Sequence, residues 1–359
     1  MACDLATIKA DACTSGIGKV VDPITLLKII AQLQCEISEA SPVEGGDLDW
    51  GPAPGSAFGT MNLSGDSFST ALSADNTVTE FTFNEPSTVA AFLNSNSVTM
   101  THLEFVNLNS CAGEFDTSSC SSLSDLILSK LASVGGSLNF SGCTVLSDIS
   151  IPLLQVVAVD LNGFGCGSLG SLSAPMLLTV GGAVGLYNLT GATALSLPSL
   201  TAVGTTFEAY NGSLMATLSA PALASVGGLF DISNGGLVTV TLTALQSVGG
   251  KFDVSNSAAL VSLPLPALVT VTGDFLAQNS TFLASFNAPL WLPTDGATLN
   301  FNGLALNAAS VNQILARCVA AGVTTCTIDL SGGTSSAPTG QGILDSAALI
   351  LAGNTVATN

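Results

Sequence analysis

The chain has 359 residues, 47% of them apolar and only 9% charged, with 37 glycines. Its 25 acidic residues against 6 basic ones leave a formal charge of −19, which excludes nucleic acid as a partner because phosphates would be repelled. The cations Lys9, Lys19, Lys28, Lys130, Lys251 and Arg317 are scattered, so no basic patch forms.

Met1-Ala-Cys-Asp4 is not a signal-peptide n-region, and no apolar run precedes Lys9, so export by the usual secretory route is not expected. The apolar runs Ile24 to Leu33 and Ala347 to Ala352 are too short to span a bilayer, and no membrane insertion is expected. Asp22-Pro23 supplies an N-cap and a first-turn proline, after which Ile24, Leu27, Ile30, Ala31 and Leu33 fall at helical spacing. The block from Ala2 to Lys19, followed by Asp22-Pro23-Ile-Thr-Leu-Leu-Lys-Ile-Ile-Ala-Gln-Leu33, resembles the N-terminal module of tailed-bacteriophage structural and fibre-like proteins. That resemblance implies attachment to other virion proteins through residues 1–36, with Ile24, Leu27, Ile30 and Leu33 as the gripping face, and a homo-oligomer. A helical hairpin that only caps the rest of the chain is the alternative for residues 1–40.

Residues 41–59 form a Pro/Gly-rich linker in which Trp50 is either a partner anchor or a cover for the first coil. From 60 to 130, Phe81-Thr-Phe83 and Leu103 to Leu108 read as strands without proline or glycine punctuation, which predicts irregular early coils with insertions. His102 is the only histidine, and with no nucleophile in register it reads as structural.

From 131 to 303 one phrase returns at a fixed interval. Its valine recurs at Val134, Val157, Val180, Val203, Val226, Val248 and Val271, at spacings of 23 residues broken by a single 22. Such a period marks a solenoid, because one unit is too small to bury its own apolar face. Pro152, Pro175, Pro198, Pro221, Pro266 and Pro289 stand at a turn where a missing N–H does no harm. The Gly or Gly-Gly after the valine predicts a corner that needs freedom in φ. Leu138/Phe140, Val184/Leu186, Phe230/Ile232 and Phe252/Val254 alternate as the inward positions of a short strand. Asn188, Asn211, Asn234, Asn256 and Asn279 form a structural ladder expected to hydrogen-bond the backbone of neighbouring turns. The pattern L-P-x-L-x-x-V-G-G-x-F-x-x-x-N resembles leucine-rich-repeat solenoids, most closely the receptor-L-domain-like and bacterial surface-protein variants. The fold class is therefore mainly β: a leucine-rich-repeat-like β-solenoid with about 23-residue coils, a helical N-terminal module and an α/β C-terminal cap.

Cys120, Cys143 and Cys166 share the period and read as a column of buried thiols rather than a metal site. The cap, residues 304–359, reads as a helix from Asn307 to Gly322, a strand from Thr325 to Ser331 and a second helix from Gly342 to Gly353 that hides the last apolar face. Asp329-Leu-Ser-Gly-Gly-Thr-Ser-Ser-Ala-Pro-Thr-Gly340 resembles the closing motif of repeat proteins from phages and marine bacteria.

Function is sought on the outward positions of the repeated strands. Five residues after the valine come Glu208, Asp231 and Asp253 in consecutive coils, three like charges that need solvent, a cation or a ligand for relief. Seven after it come Phe164, Tyr187 and Tyr210, an exposed aromatic ladder suited to sugar rings; a solvated acidic strip with aromatics that only extend the sheet contacts is the competing reading. No catalytic pair, metal set or cofactor motif is discernible, and the two columns lack the ranked Thr-x-Thr positions of an ice-binding face. These observations and resemblances lead to a non-enzymatic virion structural protein of a tailed phage, a fibre or surface decoration that adheres to a host glycan or protein. A bacterial cell-surface adhesin exported by a non-classical route is the alternative.

Overall fold

The computed structural model describes residues 80–83 and 87–359. The attachment module with Ile24, Leu27, Ile30 and Leu33, the linker with Trp50, and Cys3, Cys13 and Cys35 lie outside the described residues.

The described chain is a parallel β-solenoid. Each coil carries three short strands, and equivalent strands of successive coils pair to build sheets of eight, ten and twelve strands. A two-stranded sheet, Ser262–Pro264 with Ser285–Asn287, carries strands at the equivalent place of two later coils. One coil shows the plan: Thr217–Ser219 lies in the first sheet, Ser225–Val226 in the second and Phe230–Asp231 in the third. Its residues pair with the next coil as Leu218 with Val240, Val226 with Val248 and Phe230 with Phe252. All these pairings are parallel, so each strand hides its central or inward residue and leaves its flanking residues outside.

The core is a set of stacked side chains. Phe207, Phe230, Phe252 and Phe275 lie at ring separations of 5.0, 4.9 and 4.7 Å, each fully buried. Phe301 continues that column, stacked 5.2 Å from Phe275, and Trp291 packs tilted against the same ring at 5.0 Å, both fully buried. Rings repeated at the coil spacing gain an offset stack on each face in addition to their burial.

Of the two expectations about punctuation, one is met and one is corrected. The prolines do sit at the second position of turns in which, for example, Leu223 N–H donates to Ala220 O and Leu177 N–H to Ala174 O. The glycines after the valine, however, do not adopt positive φ. They are glycines because the backbone of the preceding coil is too close for a side chain: a Cβ at Gly227 would stand 1.9 Å from Gly204 O, and one at Gly249 2.0 Å from Gly227 O. Positive φ belongs to another corner, where Asn96, Ser119, Gly142, Gly165, Asn188, Asn211, Asn234, Asn256, Asn279, Gly303 and Gly332 succeed one another coil by coil.

Nor are the early coils irregular from Glu80 onward. Glu80–Phe83 pairs with His102–Phe105 and that strand with Asp125–Ile127, while Phe92 pairs with Phe115 and Phe115 with Leu138. Aromatic stacking replaces the missing punctuation: Phe83 lies 4.5 Å from Phe105, and Phe92 4.9 Å from Phe115.

At the C-terminal end, α1 (Ala308–Ala321) starts at Asn307, whose Oδ1 accepts from Ser310 N–H at 2.9 Å, and ends at left-handed Gly322. Then come the strand Thr327–Leu330, α2 (Gln341–Leu351) and a final strand, Thr355–Thr358, that the sequence pattern did not reveal. Among the described residues no helix is long and apolar enough to cross a membrane.

Candidate functional site

The third sheet carries the two predicted columns. Asn139, Asn162, Gly185, Glu208, Asp231, Asp253 and Leu276 pair Cα to Cα in unbroken succession, so the three acids stand in a row. Their first task is local. Asp231 Oδ1 accepts from Ser233 N–H and Asp253 Oδ1 from Ser255 N–H, both at 2.9 Å, and Asp116 and Asp329 do the same for Ser118 and Ser331. An Asx turn therefore caps the strand just before the left-handed corner.

Asp253 shares the outward column but is covered there: it is only 6% exposed, between the inward Phe252 and Val254, and accepts from Lys251 Nζ at 2.9 Å. Burial opposes the Lys251 ammonium, but Asp253, with Asp231 and Asp274 nearby, outweighs it and lifts the lysine above its ordinary value. Part of the relief the like charges require thus comes from within the fold. Glu208, too long for the Asx turn, accepts from Thr206 Oγ1 at 3.2 Å and is half-buried. No group of three or more His, Cys, Asp or Glu side chains is brought together for a metal among the described residues.

The aromatic ladder stands as read from the repeat. Phe164 and Tyr187 lie 4.9 Å apart, Tyr187 and Tyr210 4.7 Å apart, each pair within 3° of parallel. Phe164 is 36% exposed. The same column narrows to Ser141 before the rings and to Ser233 and Ser255 after them, all buried, so the three rings form a short ridge. Gly185, in the neighbouring column, lies buried beside the rings: a Cβ there would meet Asn162 Oδ1 at 3.0 Å and touch Tyr187 and Phe164 at 3.7 and 3.8 Å. Burial, and then the charge of Glu208, raises the Tyr187 phenol; burial, then Tyr187, Glu208 and Asp231, raises that of Tyr210. Both phenols stay protonated at neutral pH and can donate a hydrogen bond. Because the rings face each other, both faces of Tyr187 are covered, and the ridge offers its rim and its two end faces, one on Phe164 and one on Tyr210.

The asparagine ladder departs from expectation. Asn188, Asn211, Asn234, Asn256 and Asn279 are exposed, with φ between 56° and 61°. Their amides bond side chains rather than the backbone: Asn211 Nδ2 donates to Asn188 Oδ1, Asn256 to Asn234 and Asn279 to Asn256, at 2.8 to 3.0 Å, while Asn234 Nδ2 donates to Ser233 Oγ at 3.0 Å. Asparagine tolerates the left-handed conformation better than other residues with a Cβ, and that selects it here.

Cys120, Cys143 and Cys166 are buried free thiols that donate to the carbonyls of Asn94, Thr117 and Phe140 at 3.0 to 3.1 Å. His102 lies half-buried, 3.9 Å from Glu104 and 4.0 Å from Asp125.

Two surfaces escaped the sequence pattern. On the second sheet, Ala202, Ser225, Ser247 and Thr270 with Gly204, Gly227 and Gly249 line a shallow furrow across four coils. On the first sheet, Thr217 pairs with Thr239 and Ser219 with Thr241; Ala194 interrupts the threonine column, while the other runs on through Ser196, Ser173 and Ser150. Both require knowing which outward positions share a sheet, information that the valine phase alone did not supply.

No protein-family model matches the chain, and no curated protein matches it. A solved structure of a leucine-rich repeat protein from Bacteroides ovatus is similar over 65% of this chain and 79% of that one, at 17% identity and a TM-score of 0.29. The repeat architecture stands on the strand register itself: a parallel β-solenoid of stacked coils.

Proposed function

We propose that the chain is a non-enzymatic adhesion solenoid whose third sheet holds a host-surface glycan or protein. The observation that carries this reading is the ridge of Phe164, Tyr187 and Tyr210, raised between buried serines and flanked by Glu208. Aromatic carbon next to phenol donors and a carboxylate acceptor suits a ligand with alternating C–H and O–H groups, such as a sugar ring. The ligand meets the end faces and the rim of the ridge, since the faces between rings are occupied. Display on a virion surface, with residues 1–36 held by other virion proteins, rests on the resemblance of that segment to phage modules.

The test is glycan-array binding by the full chain, followed by titration of any hit against Tyr187→Ser and Tyr210→Ser. Serine already occupies this column at Ser141 and Ser233, so the coil accepts it. Loss of about tenfold or more in affinity with an unchanged melting point supports the site; unchanged affinity moves the site elsewhere. Mass spectrometry of purified virions tests the location: stoichiometric presence, abolished by deleting residues 1–40, supports a virion component. Absence from particles leaves the bacterial cell-surface adhesin.

A further inference from the structure

The C-terminal end of the stack presents leucine and isoleucine where a helix facing water would present charge. α1 packs on the strands Ser285–Asn287 and Leu292–Pro293, α2 packs on α1, and the final strand pairs with Thr327–Leu330 on one side only. The far side of α2 and the free edge of Thr355–Thr358 therefore face the same way, off the end of the solenoid.

The polarity of α2 is inverted. Gly342, Asp345 and Leu349 are buried, with Asp345 accepting from Gln341 Nε2 at 2.9 Å. Ile343, Leu344, Ile350 and Leu351 are 55%, 61%, 54% and 92% exposed. A terminal helix turned only to solvent distributes its residues the other way. Nor is the helix free to roll: a Cβ at Gly342 would stand 2.0 Å from Asn312 Oδ1, and Asn312 is held by two hydrogen bonds to Thr339 at 3.0 Å. The edge beside it, Thr355-Val-Ala-Thr358, has no proline, lysine or other charge to discourage pairing.

We propose that this end is a homodimer interface, in which two copies meet C-terminal end to C-terminal end about a two-fold axis. Under that symmetry the final strands pair antiparallel and the two α2 helices pack face to face. Charge selects the occupant. The chain carries −19, so most surfaces of two copies repel, but from Gln341 to Asn359 the one charged side chain is Asp345, which is buried. A second copy brings the same neutral face, whereas a charged partner finds nothing to pair with. The size also fits: the four side chains expose on the order of 500 Å² of apolar surface, at the level where a monomer's patch is commonly functional. The strand edge extends this toward the roughly 800 Å² per partner of a standard interface. The proposal is independent of the adhesion reading, which concerns the side of the solenoid.

Sedimentation velocity and small-angle scattering of the full chain over a concentration series test it, with Leu344→Glu and Leu351→Glu as variants. Both side chains lie in solvent in the isolated chain, so the variants keep the native circular dichroism and melting point. The expected result is an end-to-end dimer whose dissociation constant rises by about tenfold or more in either variant. A native chain that stays monomeric up to roughly 100 μM, a concentration at which only interfaces weaker than most specific complexes fail to form, overturns it. So does an assembly that survives both substitutions.

Discussion

A Cβ at Gly204 would lie 1.8 Å from the carbonyl oxygen of Gly181, its counterpart in the preceding coil. No rotamer relieves that contact, because a Cβ has no freedom and the oxygen belongs to a backbone fixed by pairing on both sides. Replacing Gly204 by alanine must therefore push two coils apart. Gly204→Ala is expected to lose about 1–3 kcal/mol, the usual cost of overpacking, and to lower the melting midpoint accordingly. Gly170→Ala, whose Cβ would find Ser147 O at 3.6 Å, is the matched control and melts as the native chain does.

The asparagine corner makes the opposite demand. Asn256 has φ of +56°, donates to Asn234 and accepts from Asn279. Asn256→Ala is expected to cost about 1–2 kcal/mol, since alanine is strained in the left-handed region and both amide bonds vanish. Asn256→Gly recovers most of that loss, as Gly142 and Gly165 hold the same corner earlier in the stack. Parallel thermal melts of the two variants separate the conformational cause from the hydrogen bonds. Equal destabilisation by both would assign the column to its amides.

These two corners show what was legible in the sequence. The period, the proline turns and the inward alternation could be read directly, because each follows from one residue type with one physical preference. The positive φ expected of the glycines belongs to the asparagines, and the glycines answer to a close approach instead: the letter G signals either and does not say which. The early coils were misread since Phe83, Phe92, Phe105 and Phe115 replace punctuation with stacking, visible only when coils are superposed. At the candidate site the aromatic ridge was legible from spacing alone. The burial of Asp253 was not, because Lys251, two residues earlier and just before the strand, has the freedom to reach either solvent or the carboxylate.

Thiol reactivity checks the buried column and the cap together. Burial raises Cys166 to about 11 and Cys318 to about 12, and both are fully buried. Since the thiolate is the reactive form, alkylation of the native chain at pH 8 followed by peptide mass spectrometry should leave both unmodified. The same treatment in guanidinium should label both. Rapid native labelling of Cys318 would show α1 opening away from the last coils.

The join between the last coils and the cap carries a signature in acid. Asp295 accepts from Thr324 N–H at 2.7 Å, from Thr325 N–H at 2.8 Å and from the Thr324 hydroxyl at 2.9 Å. Those donors, the Thr324 amide foremost, hold its carboxyl down to about 2. A carboxylate depressed on folding contributes stability that is fully present above its unfolded value, about 3.9, and is lost as pH falls through the folded one. The native chain should therefore lose stability between about pH 4 and pH 2 through this group, with the segment from Thr324 onward the first to open. Asp295→Asn keeps one acceptor oxygen but cannot titrate, so it should melt lower than the native chain at pH 6 and show a flatter decline below pH 4. Hydrogen exchange at the Thr324 and Thr325 amides, followed across the same range, reads the contact directly. Protection that stays constant down to pH 2 would remove Asp295 from the acid response and leave the cap held by α1, α2 and the pairing of Thr327–Leu330 with Thr298–Asn300.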